Sequence, residues 1–307
     1  MRIAVVGAGA IGCLFGGRLH RSGQTVLLIH HRRSVATALE RKGISIRELS
    51  GKVVQSHVQT KTRLSRRDKP DLVLVTVKAY DSKAVASLLK KSGIRNMPVL
   101  SLQNGLGNFE DLTHQLGSDS IIAGTTTEGA MTTGPGEIIH TGRGITWVGE
   151  MNGRVSDRCL VIQRAFRKAG FSTIVSNNIK GVLWAKAIVN SAINPVSAIT
   201  RVKNGDVSRI PELREITSKV IDEGSAIARA YEILLQPDPK SLLATILSQT
   251  SRNKSSMLQD LEAGRKTEIR QLNGSISRLG RWLGMNTPLN DLLTKLVLAL
   301  ERTQRNL

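Results

Sequence analysis

The chain has 307 residues, 40% hydrophobic and 22% charged; this is the balance of a soluble globular protein, and the length predicts two domains rather than one. Two cysteines, Cys13 and Cys159, exclude a disulfide framework or thiolate metal site and fit a reducing cytoplasm, while no uninterrupted apolar run reaches the roughly 18 residues of a membrane span. The formal charge of +20 is spread over scattered pairs such as Arg66-Arg67 and Lys90-Lys91, and aromatic residues make up only 3%; the excess reads as solvated surface that attracts anionic small molecules, not as a specific nucleic-acid site.

The first predicted element is a strand at Arg2–Val6, and Gly7, Ala8, Gly9, Ala10, Ile11 and Gly12 follow it directly as GAGAIG, opening a helical pattern. The basic, apolar start imitates a secretory signal, but a signal has no use for glycines at regular spacing. In a strand–turn–helix setting the glycines permit a tight turn, close backbone approach to a pyrophosphate and close helix–strand packing, with the helix N-terminus facing the phosphates.

A second strand is predicted at Thr25–Ile29. An NAD site places Asp or Glu at the end of this strand to accept from the ribose hydroxyls. This chain reads Ile29-His30-His31-Arg32-Arg33, which offers guanidiniums for a 2′-phosphate and argues for NADPH over NADH.

Further strands are predicted at 72–77 and 99–102, with helical spacing over Ser82–Lys91 between them. This alternation reads as βαβ units building a parallel sheet. Lys78 ends the first of these strands, and Asn104-Gly105 follows the second at the carboxyl edge of the sheet, where ligands of open α/β folds bind. Strands at 120–124, 137–140 and 145–148, a helix at 154–169 and a strand at 171–175 complete a first domain of residues 1–176.

From 177 to 307 only helical patterns remain. Pro211, Pro237, Pro239 and Pro288 divide them into four or five helices. The first, over 182–199, is almost wholly apolar except for Lys186, Asn190 and Asn194, which fall four residues apart and so form one polar stripe. A lysine on such a buried helix loses hydration, its pKa falls, and it becomes a better proton donor near neutral pH. Pro195 is expected to kink or end this helix. A second stripe runs through Asn253, Ser256, Asp260, Gly264 and Glu268 at helical spacing; taken alone, Glu268 reads as a surface carboxylate paired with Arg265 or Lys266.

Together, GAGAIG at 7–12, VTVKA at 75–79, QNGLG at 103–107, LWAKAIVNSAINPVSAI at 183–199 and SSMLQDLEAGRKTEI at 255–269 resemble the ketopantoate reductase family. The motifs run in family order over nearly the whole chain, and the last two are highly specific. The resemblance implies a Rossmann-type domain followed by an all-α domain like the C-terminal domain of 6-phosphogluconate dehydrogenase. It further implies NADPH-dependent reduction of 2-dehydropantoate, a small 2-oxoacid, to (R)-pantoate on the way to pantothenate and coenzyme A.

By position, Lys186 matches the general acid and Glu268 the carboxylate that helps hold substrate and lysine. Asn104, Asn190, Asn194, Asn253 and Ser256 match substrate-orienting residues, Lys78 matches a cofactor-side lysine, and Asn104 is expected to touch the cofactor as well. The phosphate-gripping arginine falls on His31 or Arg32 depending on the end from which positions are counted; Arg32 is preferred, with Arg33 as a second contact. Asp81 stands where a glutamine is common. No metal site is expected, and the sequence does not fix the oligomeric state, a homodimer being the assembly considered. The rival readings are another NADPH-dependent 2-oxoacid reductase on the same scaffold and a basic nucleic-acid-binding protein that keeps the dinucleotide fold.

Overall fold

The structure is a computed structural model that describes residues 1–93 and 97–305. The chain divides into two compact units, one made of Met1–Gln103 and Asn108–Ile179, the other of Asn104–Gly107 and Lys180–Leu307.

The first unit runs through β1 (Arg2–Val6), α1 (Ala10–Arg21), β2 (Thr25–Ile29), α2 (Arg33–Lys42), β3 (Ile44–Arg47), β4 (Val53–Ser56), β5 (Gln59–Lys61), β6 (Leu72–Val75), α3 (Ser82–Lys91), β7 (Val99–Ser101) and α4 (Asn108–Leu116). It continues with β8 (Ile121–Thr126), β9 (Gly129–Gly134), β10 (Glu137–Gly142), β11 (Ile145–Gly149), α5 (Asp157–Lys168) and β12 (Ser172–Val175). Eight strands form one sheet in the order β12-β11-β8-β7-β6-β1-β2-β5. All neighbours are parallel except β8 and β11. The order reverses about β1, so β1 and β6 flank the point where open α/β sheets bind ligands.

Both faces of this sheet are covered, which is why its central strands are continuous apolar runs. Ile3, Val5, Leu28, Leu72 and Leu74 lie in one core with α1, and the alternate residues Ala4, Val6, Leu27, Val73 and Val75 in the other with α3. Phe15 of α1 stacks on Phe171 at a centroid distance of 3.9 Å. A second sheet, β4-β3-β10-β9, packs on α1. Its strands β3, β4 and β9, and the edge strand β5 of the large sheet, were not among the predicted ones.

The second unit holds α6 (Ile179–Thr200), α7 (Asn204–Arg209), α8 (Pro211–Ala230), α9 (Pro239–Gln249), α10 (Ser256–Glu262), α11 (Asn273–Trp282) and α12 (Pro288–Arg305). Seven helices are described, against the four or five expected, because short helices sit between the proline-marked ones. Pro211, Pro239 and Pro288 each open a helix, where a missing N–H costs nothing.

α6 has the length and hydropathy of a bilayer-crossing helix, yet 78% of its most apolar window is buried inside protein. Trp184, Ile188, Ala192 and Val196 face α8, and Ala185, Val189 and Ile193 face Leu242 and Leu247 of α9. Two of its four-residue rows are therefore packed in cores, and the row through Lys186, Asn190 and Asn194 is the one that carries polarity.

Pro195 does not end α6, which continues to Thr200. A proline at 195 leaves the carbonyl of Ser191 without its helical donor, and the Asn273 side chain supplies one, its Nδ2 lying 2.8 Å from that oxygen.

The second stripe also needs correction. α10 stops at Glu262, and Gly264 takes φ +62° just beyond it. The Gly264 N–H donates to Leu261 O at 2.9 Å and the Arg265 N–H to Asp260 O at 2.8 Å, the paired bonds of a Schellman stop. Glu268 thus lies in the connection to α11, not on a continuing helix.

Candidate active site

In the first unit the sequence G-A-G-A-I-G forms the turn between β1 and α1. Gly7 has φ +110°, and a side chain there would meet the Val77 backbone nitrogen at 2.6 Å. At Gly12 a Cβ would lie 1.9 Å from the Gly7 oxygen, so the helix and turn touch backbone to backbone. Thr76 locks this arrangement, its Oγ1 donating to Gly7 O at 2.7 Å; it lies in the VTVKA run at 75–79, but the sequence assigned it no role, which its place beside β1 reveals.

Gly9 differs, since nothing lies within 4 Å of a Cβ built there. It is the N-cap of α1, makes no side-chain cap, and no acidic residue occupies the first turn. The amides that open α1 therefore face an uncrowded approach at the positive end of the helix, a cradle that fits a pyrophosphate.

At the end of β2, His31, Arg32 and Arg33 are all exposed. Arg32 caps α2, its N–H donating to His30 Nδ1 at 3.2 Å. Burial, opposed by a hydrogen bond to the Arg32 backbone, lowers the His30 pKa, and the cationic neighbours lower it further. Neither Arg32 nor Arg33 pairs with a carboxylate among the described residues, so both are available to an anion. Arg33 also lines a groove of about 330 Å³ with Thr37, Arg41, Thr60, Lys61 and Thr62. Lys78 begins the short turn before α3, and Asp81 is exposed at the start of that helix.

In the second unit, three residues predicted from far-apart motifs are hydrogen-bonded in a row. Lys186 Nζ donates to Asn104 Oδ1 at 2.8 Å, and Asn104 Nδ2 to Glu268 Oε2 at 3.4 Å. Lys186 is only 6% exposed and Glu268 5%. Burial pulls the lysine down from 10.5 to about 8, against the opposing charge of Glu268.

Each member is fixed locally. Gly105 has φ +84° and would strike Gln271 O at 2.6 Å with any Cβ, while the Leu106 N–H donates to that same oxygen at 3.0 Å. Next to Glu268, Thr267 donates through its backbone N–H and hydroxyl to Glu301 of α12 at 2.7 and 2.6 Å.

Along α6, Asn194 is buried and Asn190 half-buried, and neither amide has a hydrogen-bond partner among the described residues. Ser197, one turn beyond Asn194, donates to Ser255 at 2.7 Å. That bond draws the segment carrying Asn253 and Ser256 toward the far end of the stripe. Ser255, not Ser256, is the buried helix cap; Ser256 is exposed and Asn253 half-buried. No cluster of metal-ligating side chains occurs among the described residues.

A row of ammonium, amide and carboxylate beside two uncommitted asparagine amides can bind a small polar anion and deliver a proton to an oxygen on it. A family model for ketopantoate reductase PanE/ApbA matches residues 3–153, and the model for its C-terminal part matches 178–301. A 2-dehydropantoate 2-reductase of Archaeoglobus fulgidus is 37% identical over 98% of this chain and 98% of its own. The crystal structure of a PanE/ApbA family ketopantoate reductase from Ralstonia eutropha JMP134 aligns with a TM-score of 0.89 at 34% identity, over 99% of this chain and 100% of the other. D-mandelate dehydrogenase in a ternary structure with NADH and anilino(oxo)acetate aligns at 0.92 and 27% identity, with the same coverage.

Proposed function

The chain belongs to the ketopantoate reductase family, and on that premise we propose that it reduces 2-dehydropantoate to (R)-pantoate with NADPH, in the cytoplasm, as a step toward pantothenate and coenzyme A. The observation that carries the reading is the row Lys186–Asn104–Glu268, with its lysine and glutamate buried. NADPH held at the Gly7–Gly12 turn would supply the hydride that the ketone carbon receives.

Lys186 does the remaining work. As the carbon–oxygen double bond is reduced, negative charge collects on oxygen, and a partly desolvated ammonium stabilises that charge and then transfers its proton. Asn104 accepts one of the three ammonium N–H bonds, which leaves the others for substrate. Glu268 holds the Asn104 amide and keeps the ammonium charged despite its burial. Asn190 and Asn194, with Asn253 and Ser256, orient the carboxylate and hydroxyl of the substrate. The amides of the Gly7–Gly12 turn, with Lys78, hold the dinucleotide, and Arg32, helped by Arg33 and His31, holds its 2′-phosphate.

The likeness to D-mandelate dehydrogenase favours a second reading, reduction of a different 2-oxoacid with the same lysine. Following cofactor absorbance with 2-dehydropantoate and with simpler branched or aromatic 2-oxoacids separates the two. A wide preference in kcat/KM for one of the simpler acids would replace the first reading with the second.

A further inference from the structure

Gln103 is 4% exposed and hydrogen-bonded through both ends of its amide. Its Oε1 accepts from Ser101 Oγ at 3.0 Å. Its Nε2 lies 2.8 Å from Ser82 Oγ, 3.2 Å from Val77 O and 3.4 Å from Lys78 O. Ser82 is itself buried, with its hydroxyl 2.7 Å from Ala79 O and 2.8 Å from Asn108 Oδ1. One side chain therefore gathers the backbone on either side of Lys78 and ties it to α3 and to the end of β7.

The next residue in the chain is Asn104, whose side chain accepts from the Lys186 ammonium. Consecutive Cα atoms lie about 3.8 Å apart, so whatever fixes residue 103 also fixes where the Asn104 backbone begins. We propose that Gln103 is a positioning residue for the reduction: its amide clamps the Val77–Lys78 backbone and, through the following peptide bond, sets the Asn104 backbone from which the side-chain Oδ1 meets the Lys186 ammonium. It touches no reacting atom. The inference rests on the reading of Lys78, Asn104 and Lys186 given above, and it makes one buried amide serve both the cofactor-side lysine and the acid.

The test compares Gln103→Met, which keeps the volume and removes the hydrogen bonds, with Ser82→Ala, which removes one leg of the clamp. For each, kcat is measured against pH, NADPH affinity by fluorescence titration, and the thermal unfolding midpoint alongside. In Gln103→Met, kcat is expected to fall by about a hundredfold, the effect of a small misplacement at a reacting centre. Its high-pH limb should move downward from about 8, because the charged lysine loses a well-aligned acceptor, and NADPH should bind more weakly. Ser82→Ala should shift the same quantities in the same direction by less, and it keeps the question answerable if the methionine variant does not fold. A limb and an NADPH affinity unchanged in both variants, with only the unfolding midpoint lowered, would reduce Gln103 to a structural residue. A parent protein that binds NADPH but turns over no 2-oxoacid would instead overturn the functional reading, and this inference with it.

Discussion

Lys186 Nζ and Asn104 Oδ1 lie 2.8 Å apart although 82 residues separate them in the chain. The amide oxygen takes one ammonium proton and has none to give back, so it fixes the lysine's direction without competing for the proton to be transferred.

Replacing Lys186 by methionine should lower kcat by about 10²- to 10⁴-fold, the usual worth of a general acid, with NADPH affinity nearly unchanged. The same variant should be more stable than the parent at pH 7. The depression of the lysine from 10.5 to about 8 corresponds to a cost of about 3 kcal/mol for holding it charged in the fold, which sets the ceiling of the gain. Urea unfolding checks this, and a net loss of stability would mean the ammonium is not desolvated.

The pH dependence has a definite sign. The acid must be protonated, so kcat for reduction should be level below about 8 and fall above it. Stability moves the other way: between about 8 and 10.5 the unfolded chain holds a proton at Lys186 that the folded chain has released, so this group makes stability rise with pH across that window. In the methionine variant the contribution should vanish.

Arg32 and Arg33 stand exposed just after β2, and neither pairs with a carboxylate among the described residues. Changing both to alanine should reduce the kcat/KM ratio of NADPH to NADH by about a hundredfold, since each charge-assisted bond is worth roughly 1.5–3 kcal/mol. An unaltered ratio would move the phosphate grip elsewhere, with Arg41 of the neighbouring groove next in line.

Gly12→Ala forces a methyl group to within 1.9 Å of the Gly7 oxygen. Dinucleotide affinity should drop at least about a hundredfold, because the turn must open to admit it. Isothermal titration with NADPH would expose a tolerated alanine at once.

Asn273→Ala should cost about 1–3 kcal/mol by leaving the Ser191 carbonyl, stripped of its helical donor by Pro195, without a partner in the core. In a Pro195→Ala background a backbone N–H returns and the same change should cost less. A double-mutant cycle measures the difference, and strict additivity would sever the link between the two residues.

The parts of this fold legible in the sequence are those with one dominant periodicity. β1 and β2 are covered on both faces and leave unbroken apolar runs, so their limits match the predicted ones. β3 and β4 alternate buried with exposed residues and interleave Ser, Arg and Gln, a pattern too mixed to stand out over four residues. The Lys186 row was legible because the neighbouring rows of α6 are apolar apart from Ser191 and Ser197. Glu268 was misplaced because four-residue steps continue in the sequence past Gly264, while the left-handed glycine ends the helix in space. Thr76 and Gln103 lie inside the VTVKA and QNGLG motifs, but their partners are the Gly7, Val77 and Lys78 carbonyls and the Ser82 and Ser101 hydroxyls, and residue patterning does not reveal which carbonyl or hydroxyl a side chain will meet.

The four residues Asn104–Gly107 fold with Lys180–Leu307 although the chain on both sides of them belongs to the other unit. A gene fragment beginning at residue 180 would therefore encode the proton donor without its asparagine. A chimaera joined at that single point would marry a lysine from one parent to an acceptor inherited from the other. Recombination among relatives should tolerate such a junction only where the 104–107 loop and its Gln271 seat travel together.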